Sequence, residues 1–503
     1  MHKITGKELI ELGLTPGPRF REAIEAGNAS LRSGKSWEET QQILKSTYFK
    51  PEPEKLKLKN PAHSIPIACK AENEEERENT SASLQKMREL SQIPVVENLA
   101  LMPDNCPSGQ EWGSIPVGGA ITTSNAILPA AHSADIFCSM CATFFKSREP
   151  MGQLMGALQK STHFGPYPAP IGQEKHDPIL EEPVWGNPFL KGLEEIALRY
   201  LGTQGDGNHF AYIGEIPITR PLLKNLETQG QYELCAQLLL HKEQTLRVLI
   251  THHGSRNLGA RLYKKGMEAA VEETAKIAEN IPKTGAWLDL ETPIGKDYWE
   301  ALQYVGRWTK TNHKIIHATF LSAIQNRPIA QIGNDHNAVW KHDGKIYHGK
   351  GATPAWKQEG IPQLGIIPLN MGREILLVTG LDNPQFLSFA PHGAGRNRSR
   401  SATIKPFLDP KTGKVDAALV EKALADATEG LHIAWASGKP DISESPLGYK
   451  PASKIKRELE EFGLATLIGE IQPKGCIMAG DIEPLWKKKK REKEQKIAAP
   501  EIN

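Results

Sequence analysis

The sequence predicts a globular protein of mixed α and β structure with a helical addition at its N-terminus. From Pro94 to about residue 210, short apolar runs alternate with glycine turns, which is typical of strands. Three later segments, 222–242, 257–280 and 297–327, are predicted to be helices, and strands follow to about residue 405. Hydrophobic residues make up 39% of the chain and charged residues 24%, so we expect a folded protein rather than a disordered one.

Residues 1–70 are predicted to form a helical N-terminal module. Glu8–Leu14 is rich in leucine and isoleucine, the Pro–Gly–Pro turn at 16–18 would end that helix, and a second would begin near Phe20. Ser36 and Glu39 have capping-box spacing, which predicts the start of a third helix. We interpret the module as a packing unit.

Two strongly charged segments flank the predicted core, which spans residues 93–486. Five glutamates lie within residues 71–79, so 71–92 is interpreted as an acidic linker or a solvated helix face. Residues 417–436 are predicted to be an amphipathic helix. Residues 487–503 form a basic C-terminal tail that begins Lys-Lys-Lys-Lys-Arg, and any phosphate affinity of this tail would depend on salt.

Charge, apolar runs and cysteines predict a cytoplasmic protein without a membrane segment. Lys and Arg number 61 against 59 Asp and Glu, so net charge does not indicate a nucleic-acid partner. No apolar run approaches the ~20 residues of a membrane helix, and residues 1–6 lack a signal-peptide core. The six cysteines have no disulfide pattern, so a special cysteine would be a metal ligand.

The segment Pro391–Arg400 has the composition of a phosphate-binding loop. It contains His392, two glycines and three arginines, with no acidic residue among them. Glycine lets backbone N–H groups approach an anion, and arginine binds phosphate with paired hydrogen bonds. His392 could then serve as an acid, a base or a covalent phosphate carrier. The alternative is an arginine-rich surface loop beside a buried histidine.

Four polar segments predict a metal site. They follow or end apolar runs, or are rich in glycine, and they comprise Ser133–Cys141, Leu201–Phe210, Leu249–Gly259 and Asn334–Asn337. A thiolate at Cys138, a carboxylate at Asp135 and three imidazoles could hold one or two divalent ions, with zinc, manganese and iron all suitable. Cys138 and Cys141 have CxxC spacing but lack a second pair, which disfavours a structural zinc knuckle.

These phrases, in this order, resemble the RtcB family of GTP-dependent RNA ligases. That family joins RNA ends bearing a 2′,3′-cyclic phosphate or 3′-phosphate to 5′-hydroxyl ends. The similar phrases are Met102–Asp104, Asp135–Cys138, Gly205–Phe210, His252–Gly259, Asp335–Asn337, His348–Thr353 and His392–Arg400. Seven phrases in family order are far more specific than any single glycine motif.

The resemblance implies a fold, a chemistry and a set of site residues. It implies one large α+β core of mixed sheet and helices, an RNA substrate, and an archease-like activator as a possible partner. His392 would carry the guanylyl group. Two manganese ions would be bound by Asp135, Cys138, His209, His252 and His336. Nucleotide contacts would come from Asn208, His336, Asn337, Pro368, Met371, Gly372, His392, Gly393, Ala394, Gly395, Arg396 and Lys489, and RNA or phosphate contacts from Arg256, Lys350 and Arg400.

The sequence departs from the family pattern mainly around the guanine base. Tyr212 stands where the family has an acidic residue, and Leu369–Asn370 interrupts its nucleotide loop. Cys106 replaces a histidine, and the glycines beside the metal-binding cysteine are Phe137 and Ser139. The metal set and the nucleophile are kept, whereas the residues that would select guanine are altered.

Two alternatives to ligation use the same residues differently. A dinuclear metal-dependent phosphodiesterase would open cyclic phosphates without a nucleotide or His392. A non-catalytic homologue would bind RNA ends without turnover, with strong salt dependence.

Overall fold

A computed structural model describes residues 3–14, 16–17, 19–48 and 54–480. It divides into two compact units, one up to Leu56 and one from Lys57. The N-terminal module is therefore shorter than the predicted 1–70. Residues 57–70 belong to the larger unit because their backbone pairs with it: the Ala68 N–H donates to the Leu101 carbonyl at 2.8 Å.

The smaller unit contains helices α1 (Gly6–Glu11), α2 (Phe20–Arg32) and α3 (Trp37–Tyr48). Its core is formed by Ile4, Leu9, Ala23 and Leu44. The predicted capping box at the start of α3 is confirmed. The Glu39 N–H donates to Ser36 Oγ at 3.1 Å, and the Ser36 N–H donates to the Glu39 carboxylate at 2.7 Å.

The larger unit mixes helices and strands, as predicted. Its helices are α4 (Glu74–Ser91), α5 (Met151–Ser161), α6 (Glu194–Tyr200), α7 (Arg220–Thr228), α8 (Tyr232–Leu239), α9 (Arg256–Ile277), α10 (Pro293–Ala323), α11 (Arg400–Ile404), α12 (Ala417–Ala427) and α13 (Ala452–Glu461). Its strands are β1 (Val96–Cys106), β2 (Val117–Thr123), β3 (Ala126–Ile127), β4 (Ser139–Phe145), β5 (His163–Phe164), β6 (Thr203–Gly205), β7 (Gly207–Pro217), β8 (Thr245–His253), β9 (Leu288–Asp289), β10 (Ala330–Asp335), β11 (Ala338–His342), β12 (Lys345–Lys350), β13 (Ala352–Pro354), β14 (Lys357–Gln358), β15 (Ile361–Pro362), β16 (Leu364–Pro368), β17 (Ile375–Gly380), β18 (Phe389–Pro391), β19 (His432–Trp435) and β20 (Ala465–Gly480).

The largest sheet organises this unit. Its strand order is β10-β4-β8-β7-β20-β17-β16, with each neighbour antiparallel, and β19 pairs in parallel with β20. A second sheet has the order β1-β2-β12-β11, and β13 and β18 form a short ribbon. None of the described helices is long and apolar enough to cross a membrane.

Strand β4 shows how the sheet separates an apolar face from a polar one. Side chains alternate along a strand, so Met140, Ala142 and Phe144 enter one apolar core. Ser139 and Thr143 point to the opposite face, where they form hydrogen bonds with histidines of the 31-residue helix α10. This polar face of β4 begins at Ser139, the first residue of the strand, so it adjoins the residues that directly precede β4.

The acidic segment 71–92, predicted as a linker, is largely helix α4 of the larger unit. Its glutamates form ion pairs with basic side chains from other segments of the chain. Glu76 lies 3.4 Å from the buried Lys454 ammonium, and Glu75 lies 3.1 Å from Arg398. These partners are distant in sequence, so the run of acids alone indicated only a solvated segment.

Two predicted helices are shorter than expected. The predicted helix at 222–242 is two helices, because Gly230 adopts a left-handed φ of 71° between them. The predicted helix at 417–436 ends at Ala427, and Gly430 has a φ of 75° before β19 begins. In each case a glycine ends a helix that apolar periodicity alone would have continued.

Candidate metal centre and nucleophile

The five predicted metal ligands meet at one end of the largest sheet. Because neighbouring strands are antiparallel, the start of β4 and the end of β8 lie side by side, and Met140 pairs with His252. Phe210 of β7 also pairs with His252, which places His209 at the same end. Cys138 directly precedes β4 and His336 directly follows β10, its antiparallel neighbour. Hydrogen bonding between strands thus assembles ligands that are far apart in sequence.

The donor atoms form two groups that share the Cys138 sulfur. In one, Cys138 Sγ lies 3.2 Å from His252 Nε2, which lies 3.1 Å from His336 Nε2. In the other, His209 Nε2 lies 3.9 Å from the same sulfur and 3.1 Å from the Asp135 carboxylate. Within each group the ligand atoms lie within 4.8 Å of one another. The two groups would supply ligands for two cations, with Cys138 common to both.

The surroundings of the centre favour neutral imidazoles at His252 and His336 and an ionised carboxylate at Asp135. Burial lowers the pKa of His252 to about 3 and moves that of His336 well below its usual value. Burial opposes ionisation of Asp135, but His209 and Arg256 outweigh it and bring the carboxyl pKa to about 2. Burial, with Asp135 beside it, raises the pKa of the Cys138 thiol. A bound cation would reverse this last effect, since metal ions deprotonate coordinating thiols.

The loop that presents Cys138 is bulkier than the family pattern yet well packed. Phe137 has a left-handed φ of 53°, which costs a non-glycine residue about 1–2 kcal/mol. Its ring is buried against Gly306 of α10, where an added Cβ would lie 3.1 Å from the ring. The Phe137 N–H donates to the Asn337 carbonyl, and the His336 N–H donates to the Cys138 carbonyl at 2.8 Å. Packing and these bonds therefore fix the loop without flanking glycines.

His392 is oriented by a buried carboxylate. Its Nδ1 lies 2.6 Å from Oδ2 of Asp104, and its backbone N–H donates to the same oxygen at 3.2 Å. A carboxylate only accepts hydrogen bonds, so Nδ1 carries a hydrogen, and the neutral form of the ring would then have its lone pair on Nε2. Gly395, with a φ of 71°, passes against the Asp104 backbone, where a Cβ would lie 2.3 Å from the carbonyl oxygen. This close approach requires glycine.

His392, the predicted nucleophile, lies next to the candidate metal centre. The ring of His392 is 4.7 Å, centroid to centroid, from that of His336. His392 follows β18, and its N–H also donates to the Gly351 carbonyl at 3.2 Å. The histidine therefore reaches the metal ligands from outside the largest sheet.

The three arginines of the predicted phosphate loop all have acidic partners from other segments. Arg400 Nε donates to Glu444 at 2.7 Å, and Arg396 lies 3.6 Å from the same carboxylate. Arg398 instead pairs with Glu75 of α4. Burial opposes the charge on Arg400, but Glu444 outweighs it and raises the pKa of the guanidinium. Arg400 therefore stays charged, and acidic partners orient all three arginines.

A cavity of about 290 Å³ opens beside these groups. Its lining includes these predicted residues: Asn208, Pro368, Met371, His392, Gly393, Ala394, Gly395, Arg396 and Arg400. Tyr212, Cys106, Glu444 and Tyr449 also line it. His392, other polar groups and an apolar wall surround a single space, which is the arrangement of a small-molecule site.

Five other predicted contact residues have different surroundings. The Asn337 side chain accepts from the Gly351 N–H at 2.8 Å, and Gly372 lies against Ala427. Lys350 contacts Ser108 and the Ile115 carbonyl. Arg256 is buried and donates to the Gly165 carbonyl at 2.8 Å. Lys489, like the basic tail 487–503, lies outside the described residues.

Asp104 and Glu444 are candidate site residues to which the sequence assigned no role. Asp104 lies in the family-like phrase Met102–Asp104. The position of a single acidic residue in the apolar stretch Leu99–Asp104 could have indicated a role for Asp104, because a buried carboxylate needs a hydrogen-bonding or charged partner. The buried Lys450 adds support by donating to the carbonyls of Pro103 and Asn105 at 2.6 and 3.0 Å. Glu444 lies in a polar segment without any comparable signal.

A third histidine–cysteine group lies behind the metal centre, between β4 and α10. It consists of Cys141, His313 and His317. Each ring already bonds to two hydroxyls: His313 to Ser139 and Thr251, and His317 to Thr251 and Thr143, at 2.6–3.1 Å. Because these imidazoles have their full complement of partners, the group is interpreted as a hydrogen-bonded core.

Comparison with known proteins identifies the family. A family model described as tRNA-splicing ligase RtcB matches residues 189–479, more than half of the chain. The chain is 26% identical to the RNA-splicing ligase RtcB of Escherichia coli K12 over 411 residues, covering 74% of this chain and 88% of that protein. An RNA-splicing ligase RtcB1 from another Escherichia coli strain has the same identity and coverage. The tRNA-splicing ligase RtcB of Pyrococcus horikoshii is 26% identical over 314 residues, covering 55% of this chain and 32% of that protein. With its ligands, histidine and cavity arranged as described above, the chain belongs to the RtcB family.

Proposed function

We propose that this protein is an RNA ligase that joins 2′,3′-cyclic phosphate or 3′-phosphate ends to 5′-hydroxyl ends through a His392–GMP intermediate. GTP and two Mn²⁺ ions are the proposed cofactors, and tRNA splicing or RNA repair is the proposed context. The observation that supports this best is the His392 ring, which is held by Asp104, faces a cavity and lies 4.7 Å from a metal-ligand ring.

The donor set fits two divalent cations. Cys138, His252 and His336 would hold one ion, and Asp135, Cys138 and His209 the other. His252 donates from Nδ1 to the Asn208 carbonyl at 3.3 Å, which leaves Nε2 free to coordinate. When bound, such ions neutralise phosphate charge and orient phosphoryl groups.

His392 is suited to the covalent step. Its Nε2 lone pair would form the N–P bond to the α-phosphorus of GTP, while the bond to the leaving pyrophosphate breaks. Positive charge develops on the ring during this step, and the Asp104 carboxylate on Nδ1 stabilises it. Asp104 is thus proposed as a positioning residue, which acts through His392.

The other end of the cavity is suited to phosphate groups. Arg396 and Arg400 carry positive charge there, and Glu444 fixes their direction. A 2′,3′-cyclic phosphate would first be hydrolysed by water to a 3′-phosphate and a 2′-hydroxyl. In the proposed second step, GMP moves from His392 to the RNA 3′-phosphate, and a 5′-hydroxyl then attacks that phosphorus and releases GMP. An arginine bound on one edge by a carboxylate keeps its remaining N–H groups for phosphate oxygens.

The test is covalent labelling with α-³²P-GTP and Mn²⁺. We expect label on the native protein, none on His392→Ala, and normal labelling of His176→Ala, which changes an exposed histidine. Ligation of RNA with a cyclic phosphate and a 5′-hydroxyl should follow the same pattern. If no nucleoside triphosphate labels the protein while RNA ends are still joined, the proposed intermediate is wrong.

The same variants separate the two alternatives. A metal-dependent phosphodiesterase would open the cyclic phosphate equally well in native protein and His392→Ala, but not in Cys138→Ala. A non-catalytic homologue would bind RNA and yield no product. Neither alternative requires the carboxylate on His392 Nδ1, which is why ligation is favoured. A cytoplasmic location and an archease-like activator remain predictions made from the sequence.

A further inference from the structure

Helix α10 contacts both residues that flank the candidate metal ligand Cys138. Ser139 Oγ lies 3.1 Å from Nε2 of His313, and the buried ring of Phe137 packs against Gly306. Gly306 and His313 are seven residues apart, which is close to two helical turns, so they share one face of α10. Both flanking positions are glycine in the family pattern. The two side chains that replace glycine in this chain are therefore the two that α10 contacts.

The same imidazole also reaches the residue before a second ligand. Nδ1 of His313 lies 2.6 Å from Oγ1 of Thr251, which directly precedes His252 in β8. Burial moves the pKa of His313 well below its usual value, so the ring is neutral and has one donor and one acceptor nitrogen. Both nitrogens bond to buried hydroxyls, those of Ser139 and Thr251. One ring thus connects β4 and β8 beside two of the candidate ligands.

The third ligand of that group has a neighbour that contacts the same helix. Lys310 Nζ lies 2.9 Å from the carboxylate of Asp335, which directly precedes His336. Lys310 is 58% exposed, so this ion pair contributes little to stability. His313 is only 2% exposed and bonds beside two ligands rather than one. It is therefore the residue of α10 best placed to fix the geometry of the group.

We propose that His313 is a positioning residue for the metal centre. It acts on Cys138 through Ser139, and on His252 through Thr251. This inference rests on the proposed binding of divalent ions by those ligands. Groups behind the ligands orient them before the ion arrives, and this raises metal affinity. Glycine beside the cysteine would leave the loop free to adjust, whereas a serine bonded to a buried ring holds it in place.

The experiment measures Mn²⁺ affinity by calorimetric titration. It also follows the thiolate-to-cobalt charge-transfer band of protein loaded with Co²⁺, which reports the bond from Cys138 to the metal. His313→Leu keeps a buried side chain but removes both hydrogen bonds, so we expect Mn²⁺ to bind about 10-fold more weakly and the cobalt band to change. Ser139→Ala removes one of the same bonds and should weaken Mn²⁺ binding about fivefold. The double variant should bind no more weakly than His313→Leu alone, because the two substitutions remove a shared bond.

Two further variants separate positioning from general stability. His313→Gln can place its amide near the position of Nε2, so it should restore the bond to Ser139 and recover most of the Mn²⁺ affinity. Tyr304→Phe is the matched control on the opposite side of α10, where the buried hydroxyl donates to the Ile179 carbonyl at 3.2 Å. It should bind Mn²⁺ like the native protein even if its melting temperature falls.

Three results would overturn the inference and leave the proposed function intact. The first is native Mn²⁺ affinity with an unchanged cobalt band in His313→Leu and Ser139→Ala. The second is a double variant in which the two losses multiply, and the third is an equal loss of affinity in Tyr304→Phe. If His313→Leu does not fold, Ser139→Ala decides the matter alone. Failure of the native protein to bind Mn²⁺ would overturn the proposed metal centre and this inference together.

Discussion

Nδ1 of His392 lies 2.6 Å from Oδ2 of Asp104, a fully buried carboxyl at the end of an apolar stretch of β1. The nucleophile belongs to one segment of the chain and its orienting group to another. Their pairing gives the imidazole a fixed tautomer before any substrate arrives.

Asp104→Asn should therefore abolish most nucleotidyl transfer without unfolding the protein. An asparagine can donate its amide hydrogen to Nδ1, which moves the ring hydrogen to Nε2 and removes the nucleophilic lone pair. We expect labelling to fall about 10³- to 10⁴-fold, as for other carboxylate–histidine pairs. Bound manganese should stay constant, which separates an orienting role from a structural one. Asp343→Asn, an exposed carboxyl, should behave as native. An equal loss of manganese in Asp104→Asn would contradict this prediction.

Cys138→Ala and Cys141→Ala form a matched pair for the metal centre. Both thiols are buried and only three residues apart, but Cys138 belongs to both ligand groups and Cys141 to the hydrogen-bonded core. Because second-shell changes already cost 10- to 100-fold in metal affinity, loss of the shared ligand should weaken Mn²⁺ binding by at least about 100-fold. Cys141→Ala should bind Mn²⁺ normally, as measured by calorimetric titration and metal analysis. Equal effects of the two substitutions would refute the ligand assignment.

Glu76→Gln should destabilise the protein, and Glu75→Gln should not. Glu76 and its partner Lys454 are each 1% exposed at the side chain, whereas Glu75 and Arg398 are about half exposed. Losing the buried charge should lower the free energy of unfolding by about 1–3 kcal/mol, with Lys454 still bonded to Glu458. Loss of the exposed pair should cost below about 0.5 kcal/mol. Differential scanning fluorimetry would measure the effect of each substitution as a change in melting temperature.

The effect of Glu76→Gln should also depend on pH. Burial opposes ionisation of Glu76, but the Glu72 N–H, Asn397 and Lys454 outweigh it, and the folded-state pKa lies below the usual 4.5. Its contribution is therefore complete above pH 4.5 and is lost as the pH falls through the lowered folded pKa. The melting temperatures of native protein and Glu76→Gln should converge in that acidic range. A gap that widens on acidification would show that this pair does not act through ionisation.

The ligand set could be predicted because its members sit in short polar segments that border apolar runs. An antiparallel sheet brings such segments together at one end, as His252 and Cys138 show. The mixed α and β fold was predictable for the same reason, since periodicity is a local property of the chain. The phrases that resemble the RtcB family gave further support to the ligand set, because they occur in the same order as in that family.

Pairings between distant side chains could not be predicted in this way. The loop at 391–400 contains no acid, yet each of its arginines has an acidic partner, supplied by Glu75 or Glu444. The basic residues that pair with the acidic run at 71–79, Lys454 and Arg398, lie more than 300 residues away in the sequence. Without knowledge of these pairs, the run suggested a solvated linker. The ends of α7 and α12 were missed because single glycines override amphipathic periodicity.

The candidate metal ligands and the loop after His392 are held in part by different contacts. The metal ligands lie on hydrogen-bonded strands of one sheet, whereas the loop after His392 is tied to α4 by side chains, including the Asn79 amide that donates to the Asn397 carbonyl at 2.7 Å. Cooperative backbone bonding resists local perturbation, but a few ion pairs and amide contacts yield to single substitutions. Damage to α4 is accordingly expected to disturb the arginine-bearing loop after His392 more than the candidate metal ligands. If so, metal binding and nucleotidyl transfer should respond separately to substitutions in α4.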